Sequence, residues 1–256
     1  MEVHHHAHTA RKKWTHYFWE FLMLFLAVFC GFLAEYQLEH YIEKQRAKEF
    51  ALSLHRDLTA DTSIFNANIE RLNTCSKKID TLVGLLSDTE QIQQNTSSIY
   101  NLSVYAFIFP ESTPTESTLQ QLLNSGSLRY FKDNLLVDSI KIYNNTIQLF
   151  KKFSETAATL NTEFRKKQLH VIEISPVIEF IETSVLLYAG SIRNVSDTAF
   201  FKNRQLLTNE PFLLKEYANW CSLKKFYLTN SFLRYRALKA QATSVLKLLN
   251  KKYHIK

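Results

Sequence analysis

An unbroken apolar run near the start of the chain constrains its fold most strongly. From Phe21 to Ala34 the sequence has 14 consecutive apolar or small residues. Trp and Tyr residues flank this run on both sides, as they do where helices meet the membrane–water interface. With these flanks the segment covers residues 14–36, and a bilayer core requires about 20 residues of helix. We therefore predict a transmembrane helix at 14–36.

Basic residues next to this segment predict its orientation. Arg11, Lys12 and Lys13 precede the apolar run, and positively charged flanks remain in the cytoplasm. The tail 1–13 is therefore expected inside the cell, and residues 37–256 are expected outside the cytoplasm as one domain. The alternative is a cleaved signal peptide. The length of the run, and the lack of small residues at both −3 and −1 of any cleavage site, disfavour it.

Residues that break helices are scarce along the whole chain. Only four glycines and four prolines occur in 256 residues. Sheet-rich folds need many more turn residues of this kind, so the composition favours long helices. The predicted fold class is all-α, with an N-terminal transmembrane helix continuing into an extracytoplasmic helical bundle.

A heptad stripe predicts that the first helix continues well past the membrane. Apolar residues recur at alternating spacings of four and three from Ala47 to Leu86. Two members of the stripe are polar, Asp61 and Asn68. Either they lie at the edge of the stripe and face water, or they are buried and fix the helix register or the choice of partner.

Two further stripes predict two more long helices. The second stripe consists of Leu128, Phe131, Leu135, Ile142, Leu149, Phe153, Ala157, Leu160 and Phe164. The third consists of Leu214, Tyr217, Cys221, Leu228, Tyr235, Leu238, Ala242, Val245 and Leu249. Asn209 and Pro211 are suited to the N-cap and first turn of this last helix.

The segments between the long helices have less regular sequence patterns. Residues 88–98 are polar and are expected to form a loop, whereas 99–109 fit either a helix or a strand. A short helix is expected at 115–124, and Gly126 after it should adopt a left-handed conformation. Residues 169–190 do not favour one type of structure over another.

The cysteines leave two arrangements open. Cys75 and Cys221 both lie on apolar stripes, and a compartment outside the cytoplasm permits disulfides. They would either form one disulfide between the first and last helices or remain two buried thiols. Since no C-x-x-C pair occurs, neither a zinc site nor a thioredoxin-like site is indicated.

Catalytic motifs are missing from the sequence. No P-loop, G-x-G-x-x-G, G-x-S-x-G or H-E-x-x-H pattern occurs. The histidines of the N-terminal tail are few, are interrupted by Ala7 and lack a nearby cysteine, so they indicate at most a loose metal contact. We therefore predict a protein without catalytic activity, cofactor or metal. An enzyme whose site cannot be read from sequence remains an alternative.

Positive charge is concentrated in the C-terminal segment 202–256, which carries 12 Lys or Arg residues against two acids. Such a segment suits an acidic partner or anionic lipid, while an extracytoplasmic location disfavours nucleic acid. The alternative is a solvated helix face. The basic residues selected as possible partner contacts are Lys224, Lys225, Arg234, Arg236, Lys247, Lys251 and Lys252.

Two sequence blocks carry a resemblance to a known family. They are Met1-Glu-Val-His-His-His, followed by a basic stretch and Glu20-Phe-Leu-Met-Leu-Phe-Leu-Ala-Val-Phe-Cys-Gly-Phe-Leu-Ala-Glu35, and Ser117-Thr-Leu-Gln-Gln-Leu-Leu-Asn-Ser-Gly126-Ser-Leu-Arg129. Together they resemble an uncharacterised family of bacterial, Bacteroidota-type single-pass membrane-anchored proteins. The resemblance implies the same layout and native histidines, and it implies no activity. It also makes Glu20 and Glu35, at the ends of the membrane segment, possible contacts.

These observations favour an interaction module or accessory subunit of a bacterial envelope complex. It would lie in the inner membrane with a cytoplasmic N-terminus and a periplasmic C-terminal domain. Its expected partners are other envelope membrane proteins, with an anionic lipid surface as a further possibility. Asp61 and Asn68 are included among the possible contacts. The alternative is a ligand-sensing domain that acts through a partner, and the oligomeric state is left open.

Overall fold

The computed structural model describes residues 14–107, 112–183 and 198–255. Every regular element within these ranges is helical, which confirms the predicted all-α class. The helices are α1 (Trp14–Leu85), α2 (Thr89–Gln94), α3 (Thr96–Phe107), α4 (Ser117–Asn124), α5 (Asn134–Gln168), α6 (Ile174–Thr183) and α7 (Pro211–Tyr253), with a 3₁₀ turn at Ser127–Tyr130. The tail 1–13, residues 108–109 of the segment 99–109 and residues 184–190 of the segment 169–190 lie outside the described residues. The chain divides into two units, Met1–Glu49 and Phe50–Lys256.

The first unit contains the N-terminal part of α1. An 18-residue window in this helix has a mean hydropathy of 2.0, and none of the window is buried. Along it, Phe21, Phe25 and Phe29 stack at i, i+4 spacing, with ring centroids 6.2 and 5.9 Å apart. The segment is long and apolar enough to cross a membrane or to act as a signal sequence.

The second unit is a bundle built on three long helices: α1 from Phe50 onward, α5 and α7. Contacts in this unit show that α7 runs antiparallel to both of the others. Against α1, Lys225 contacts Asp80 and Tyr235 contacts Phe65; against α5, the ring pairs are Tyr217–Phe164 and Tyr235–Phe150. The predicted α1 stripe is confirmed, because its members are all buried: Ala47, Ala51, Leu54, Leu58, Asp61, Phe65, Asn68, Leu72, Cys75, Ile79, Leu82 and Leu86.

The ends of the helices follow local sequence signals. Asp133 caps α5 by accepting a hydrogen bond from the Leu136 amide at 3.2 Å. Pro211 occupies the first turn of α7, as predicted, although the N-cap is Glu210 rather than Asn209. Gly126 follows α4 with φ +67°, which confirms the predicted left-handed conformation.

Two intervening segments are more helical than their sequences indicate. The loop predicted at 88–98 is wrong, because α2 and the start of α3 occupy it. The Asp88 carboxylate caps α2 by accepting a hydrogen bond from the Glu90 amide at 3.0 Å. Residues 99–107, for which helix and strand were both open, belong to α3, whose residues Ile99 to Ala106 are all buried.

The core face predicted for α5 is partly wrong. Its buried residues include Leu136, Ile140, Tyr143, Ile147 and Phe150, whereas Leu135, Ile142 and Leu149 are exposed. The predicted stripe was traced from Leu128 and Phe131, which precede the first residue of α5. Leu128 and Phe131 lie outside the helix, so their spacing to later residues does not follow the 3.6-residue period of α5. The pattern extended from them therefore identifies the face of α5 next to the buried one.

Candidate functional site

A buried carboxylate joins α1 to the segment that precedes α4. Asp61 is 1% exposed, and its oxygens accept hydrogen bonds from the Thr115 amide at 3.0 and 3.1 Å and from the Thr115 hydroxyl at 2.8 Å. The Tyr143 hydroxyl on α5 donates a further bond at 3.2 Å. Burial raises the pKa of Asp61, although these donors favour its charged form.

Asn68 makes the next polar contact, two turns further along α1. Its side-chain amide donates to the Ser112 hydroxyl, and the Tyr235 hydroxyl on α7 donates to the Ser112 carbonyl at 2.8 Å. Asn68 and Asp61 therefore hold one short segment, 112–115, against the bundle. The interpretation that they face water is wrong, because both are buried among partners within the chain.

A second polar layer surrounds Lys224 on α7. This lysine is 4% exposed; it donates to the Asn161 side-chain carbonyl on α5 and lies 5.5 Å from the centre of the Phe164 ring. Burial lowers the pKa of Lys224 to about 7, and the nearby Arg165 guanidinium acts in the same direction. The Lys224 amine therefore loses its proton more readily than an ordinary lysine amine.

Both cysteines of the bundle lie near this lysine. Cys75 and Cys221 are buried free thiols, so no disulfide joins them in this structure. Burial raises the pKa of Cys75 to about 11 and that of Cys221 to about 12. Since the thiolate is the reactive form, neither thiol is activated at neutral pH.

The space beside Lys224 limits the chemistry that this amine can perform. The adjoining cavity, walled by Leu160, Phe164, Trp220 and Tyr227, has a volume of about 10 Å³. A space of that size holds about one water molecule. The Lys224 layer therefore fits a structural role better than reaction with an organic substrate.

The other basic residues selected from the sequence lie on the surface of α7. Lys225 pairs with Asp80 on α1. Arg234 stacks on the Phe153 ring of α5 at 4.3 Å and donates to the Leu149 carbonyl at 3.5 Å. Arg236 and Lys247 lie on the side of α7 that faces α1, and Lys251 and Lys252 are exposed in its last turn. Lys224 alone among the predicted contacts on α7 is buried, so it offers no surface to a partner.

The two acids predicted at the ends of the membrane segment lie in the first unit. The Glu20 carboxylate lies 3.3 Å from Nε2 of His16, which precedes it by four residues on the helix, and both side chains are half-exposed. Glu35 is exposed on the same helix. Both acids are thus accessible to a partner, whereas Asp61 and Asn68 are not.

An exposed apolar row is the surface feature that the sequence analysis missed. Leu135, Ile142 and Leu149 are 71%, 50% and 61% exposed, and they follow one another at intervals of seven residues along α5. We call them the α5 row. Residues seven apart lie on one face of a helix, as in a coiled-coil seam. The sequence pattern predicts these three residues to lie in the core, and the structure places them on the surface.

Sequence reasoning also missed Asn161, Tyr143 and Gln168, which complete the buried polar layers. Asn161 accepts a hydrogen bond from Lys224, and Tyr143 donates one to Asp61. The Gln168 side-chain amide donates to the Ser103 carbonyl at 3.1 Å. A usable signal existed for Asn161, because it sits between Ala157 and Phe164 at core spacing.

Neither a search for metal-binding geometry nor a comparison with known proteins assigns a function to the chain. Within the described ranges, no group of three or more His, Cys, Asp or Glu side chains is placed to hold a metal ion. Comparisons with protein-family models, with curated proteins and with solved structures found no match.

Proposed function

We propose that this chain is a membrane-anchored interaction module, an accessory subunit of a bacterial envelope complex. The apolar part of α1 anchors it in the inner membrane with its N-terminus in the cytoplasm. The bundle from Phe50 onward lies in the periplasm and presents the contact surface. Its partner is another envelope protein.

The observation that carries this proposal is the α5 row. Isolated exposed apolar side chains are normal on a protein surface, whereas these three recur at heptad spacing on one face of α5. A row of this kind supplies one of the two apolar positions of the seam with which one helix packs against another. Arg234, held at its edge by Phe153 and the Leu149 carbonyl, is of the residue type enriched in protein interfaces.

Purification from the native membrane tests the proposal. The full-length chain is isolated in mild detergent, and co-purifying proteins are quantified by mass spectrometry. We expect partners that are retained by the wild-type chain and lost from Ile142→Glu, because a charge in the row opposes burial. Ile64→Glu is the matched control, since Ile64 is 41% exposed on α1 and lies outside the row.

The possible results separate the proposed function from its alternatives. Partners that survive Ile142→Glu, or that are lost equally from Ile64→Glu, would contradict the role of the α5 row. A wild-type chain that purifies alone with a bound small molecule would favour the ligand-sensing alternative.

A further inference from the structure

A groove between α1 and α7 combines positive charge with an apolar wall. It has a volume of about 540 Å³, within the size range of small-molecule sites. Arg236, Lys239 and Lys247 line it on α7 together with the Thr243 hydroxyl. We call this feature the basic groove.

The three cations of the basic groove are not paired with acids in the part of the chain that the structure describes. Elsewhere in the bundle Lys225 pairs with Asp80, and Lys151 pairs with Glu116. By contrast, no carboxylate of the described ranges lies within the 4.0 Å of an ion pair from Arg236, Lys239 or Lys247. Three like charges on one concave surface create a local field that attracts anions.

The spacing of the cations defines two positions along the groove. Arg236 and Lys239 lie one helical turn apart, so their side chains can reach the same anionic group. Lys247 lies eight residues beyond Lys239, a distance of roughly 12 Å along the helix axis. Thr243 lies between them, and its hydroxyl donates to the Lys239 carbonyl at 2.7 Å. A ligand that uses all three cations therefore carries at least two anionic groups.

The chemistry of the lining indicates the class of ligand. The guanidinium of Arg236 has the fork geometry that binds phosphate in a bidentate manner, and lysine is a common phosphate contact. Ile69 and Phe232 supply the apolar wall, with the Arg236 guanidinium 5.7 Å from the centre of the Phe232 ring. We propose that the basic groove binds an extended ligand with two or more phosphate groups.

This site is separate from the α5 row, so it does not depend on the proposed partner. The α5 row lies on a different helix from the groove lining, and none of its residues contributes to the groove. A solvated basic face would need no such concave arrangement. Lys251 and Lys252, exposed in the last turn of α7, represent that solvated kind of lysine and provide the comparison.

Binding measurements on the full-length chain test the proposal. The chain is placed in nanodiscs of phosphatidylcholine and titrated with linear short-chain polyphosphate, with orthophosphate as the single-anion probe. In a second arm, the same nanodiscs are mixed with phosphatidylglycerol vesicles, with phosphatidylcholine vesicles for reference. We expect saturable, salt-sensitive binding in at least one arm, with polyphosphate bound more tightly than orthophosphate. Binding in the first arm alone identifies a soluble phosphate ligand, and binding in the second alone identifies a lipid headgroup.

Two triple variants locate the binding site. Arg236→Gln/Lys239→Gln/Lys247→Gln removes the groove cations and should weaken binding by about tenfold or more. Lys202→Gln/Lys251→Gln/Lys252→Gln removes the same charge outside the groove and should change it by less than about twofold. If the groove triple variant melts at a lower temperature than the wild type, Lys247→Gln alone replaces it. Equal weakening in both triple variants, or no binding to either probe by the wild-type chain, would overturn the proposal.

Discussion

The carboxylate of Asp61 accepts three hydrogen bonds from one residue, Thr115, at 2.8, 3.0 and 3.1 Å. The two residues are 54 positions apart in the sequence, so this contact ties the segment before α4 to the middle of α1. Tyr143 adds a donor from α5. Three parts of the chain therefore meet at one buried carboxylate.

Removing this carboxylate should destabilise the bundle. In Asp61→Ala the buried hydroxyl of Tyr143 and the amide of Thr115 lose their acceptor, which costs about 1–3 kcal/mol for each group left unsatisfied. Thermal or denaturant unfolding of the detergent-solubilised chain, followed by circular dichroism, measures the loss. Asp57→Ala is the control, because Asp57 lies one turn earlier and, within the described ranges, accepts a single long bond, from the Ser117 hydroxyl at 3.5 Å. Similar losses in the two variants would show that the Thr115 contact contributes little.

Two glycine substitutions should change the stability of the bundle in opposite directions. Gly126 has φ +67°, so Gly126→Ala places a Cβ in a left-handed conformation and should lower the free energy of unfolding by about 1 kcal/mol. Gly84 lies in α1 with no atom within 4 Å of an added Cβ. Gly84→Ala should therefore raise the free energy of unfolding by about 0.5 kcal/mol through helix propensity. Melting curves that shift in the same direction for both would contradict the assignment.

The buried amine of Lys224 predicts a pH dependence of stability. Its pKa is about 7 in the folded chain, against an ordinary lysine value of 10.5 in the unfolded chain. Between these values the unfolded chain binds more protons than the folded chain, so the free energy of unfolding rises with pH. Below about pH 7 both states are protonated, and the full penalty of the buried charge remains.

Lys224→Met should remove this rise between about pH 7 and 8.5. The upper limit keeps the measurement below 9.0, the ordinary pKa of a cysteine thiol, because burial of the two thiols gives a dependence of opposite sign at higher pH. The loss of the donor to Asn161 costs free energy at every pH, so the slope is the informative quantity. Lys225→Met, at the half-exposed neighbour, should retain the slope of the wild-type chain. An unchanged slope in Lys224→Met would contradict the lowered pKa of this amine.

The proposed orientation predicts the location of the C-terminus. A reporter that is active only outside the cytoplasm, fused after Lys256, should be active, because Arg11, Lys12 and Lys13 hold the N-terminus inside. A reporter active only in the cytoplasm, fused at the same place, should be inactive. The opposite pair of results would exclude the proposed topology.

The buried faces of α1 and α7 were predictable because the spacing of apolar residues repeats over many helical turns. From Ala51 to Leu86 the spacing alone identifies the buried face, and Leu214 to Leu249 does the same for α7. In α5, the helix start lies after Phe131, and a pattern carried across that boundary selected Leu135, Ile142 and Leu149 as core. Local spacing cannot reveal where a helix begins when a 3₁₀ turn precedes it.

The pairings within the polar layers were not predictable from spacing, because the partners come from distant segments. Asp61 and Tyr143 are 82 positions apart, and Lys224 and Asn161 are 63 apart. Lys224 lies among eleven other Lys and Arg residues of segment 202–256, so its sequence context indicates a solvated face. Only the packing of α5 against α7 shows that this one lysine is enclosed.

Heptad packing by itself leaves α1 free to dock in several alignments. A displacement by seven residues, roughly 10.5 Å, would replace Leu58, Phe65 and Leu72 of the seam by Phe65, Leu72 and Ile79, which are also apolar. It would also put Asn68 where Asp61 meets Thr115, and Cys75 where Asn68 meets Ser112. Neither replacement reproduces the carboxylate or amide that those partners require. The two polar residues thus favour one register of α1 over registers displaced by seven residues. In this way they disfavour misassembly of the bundle in a displaced register.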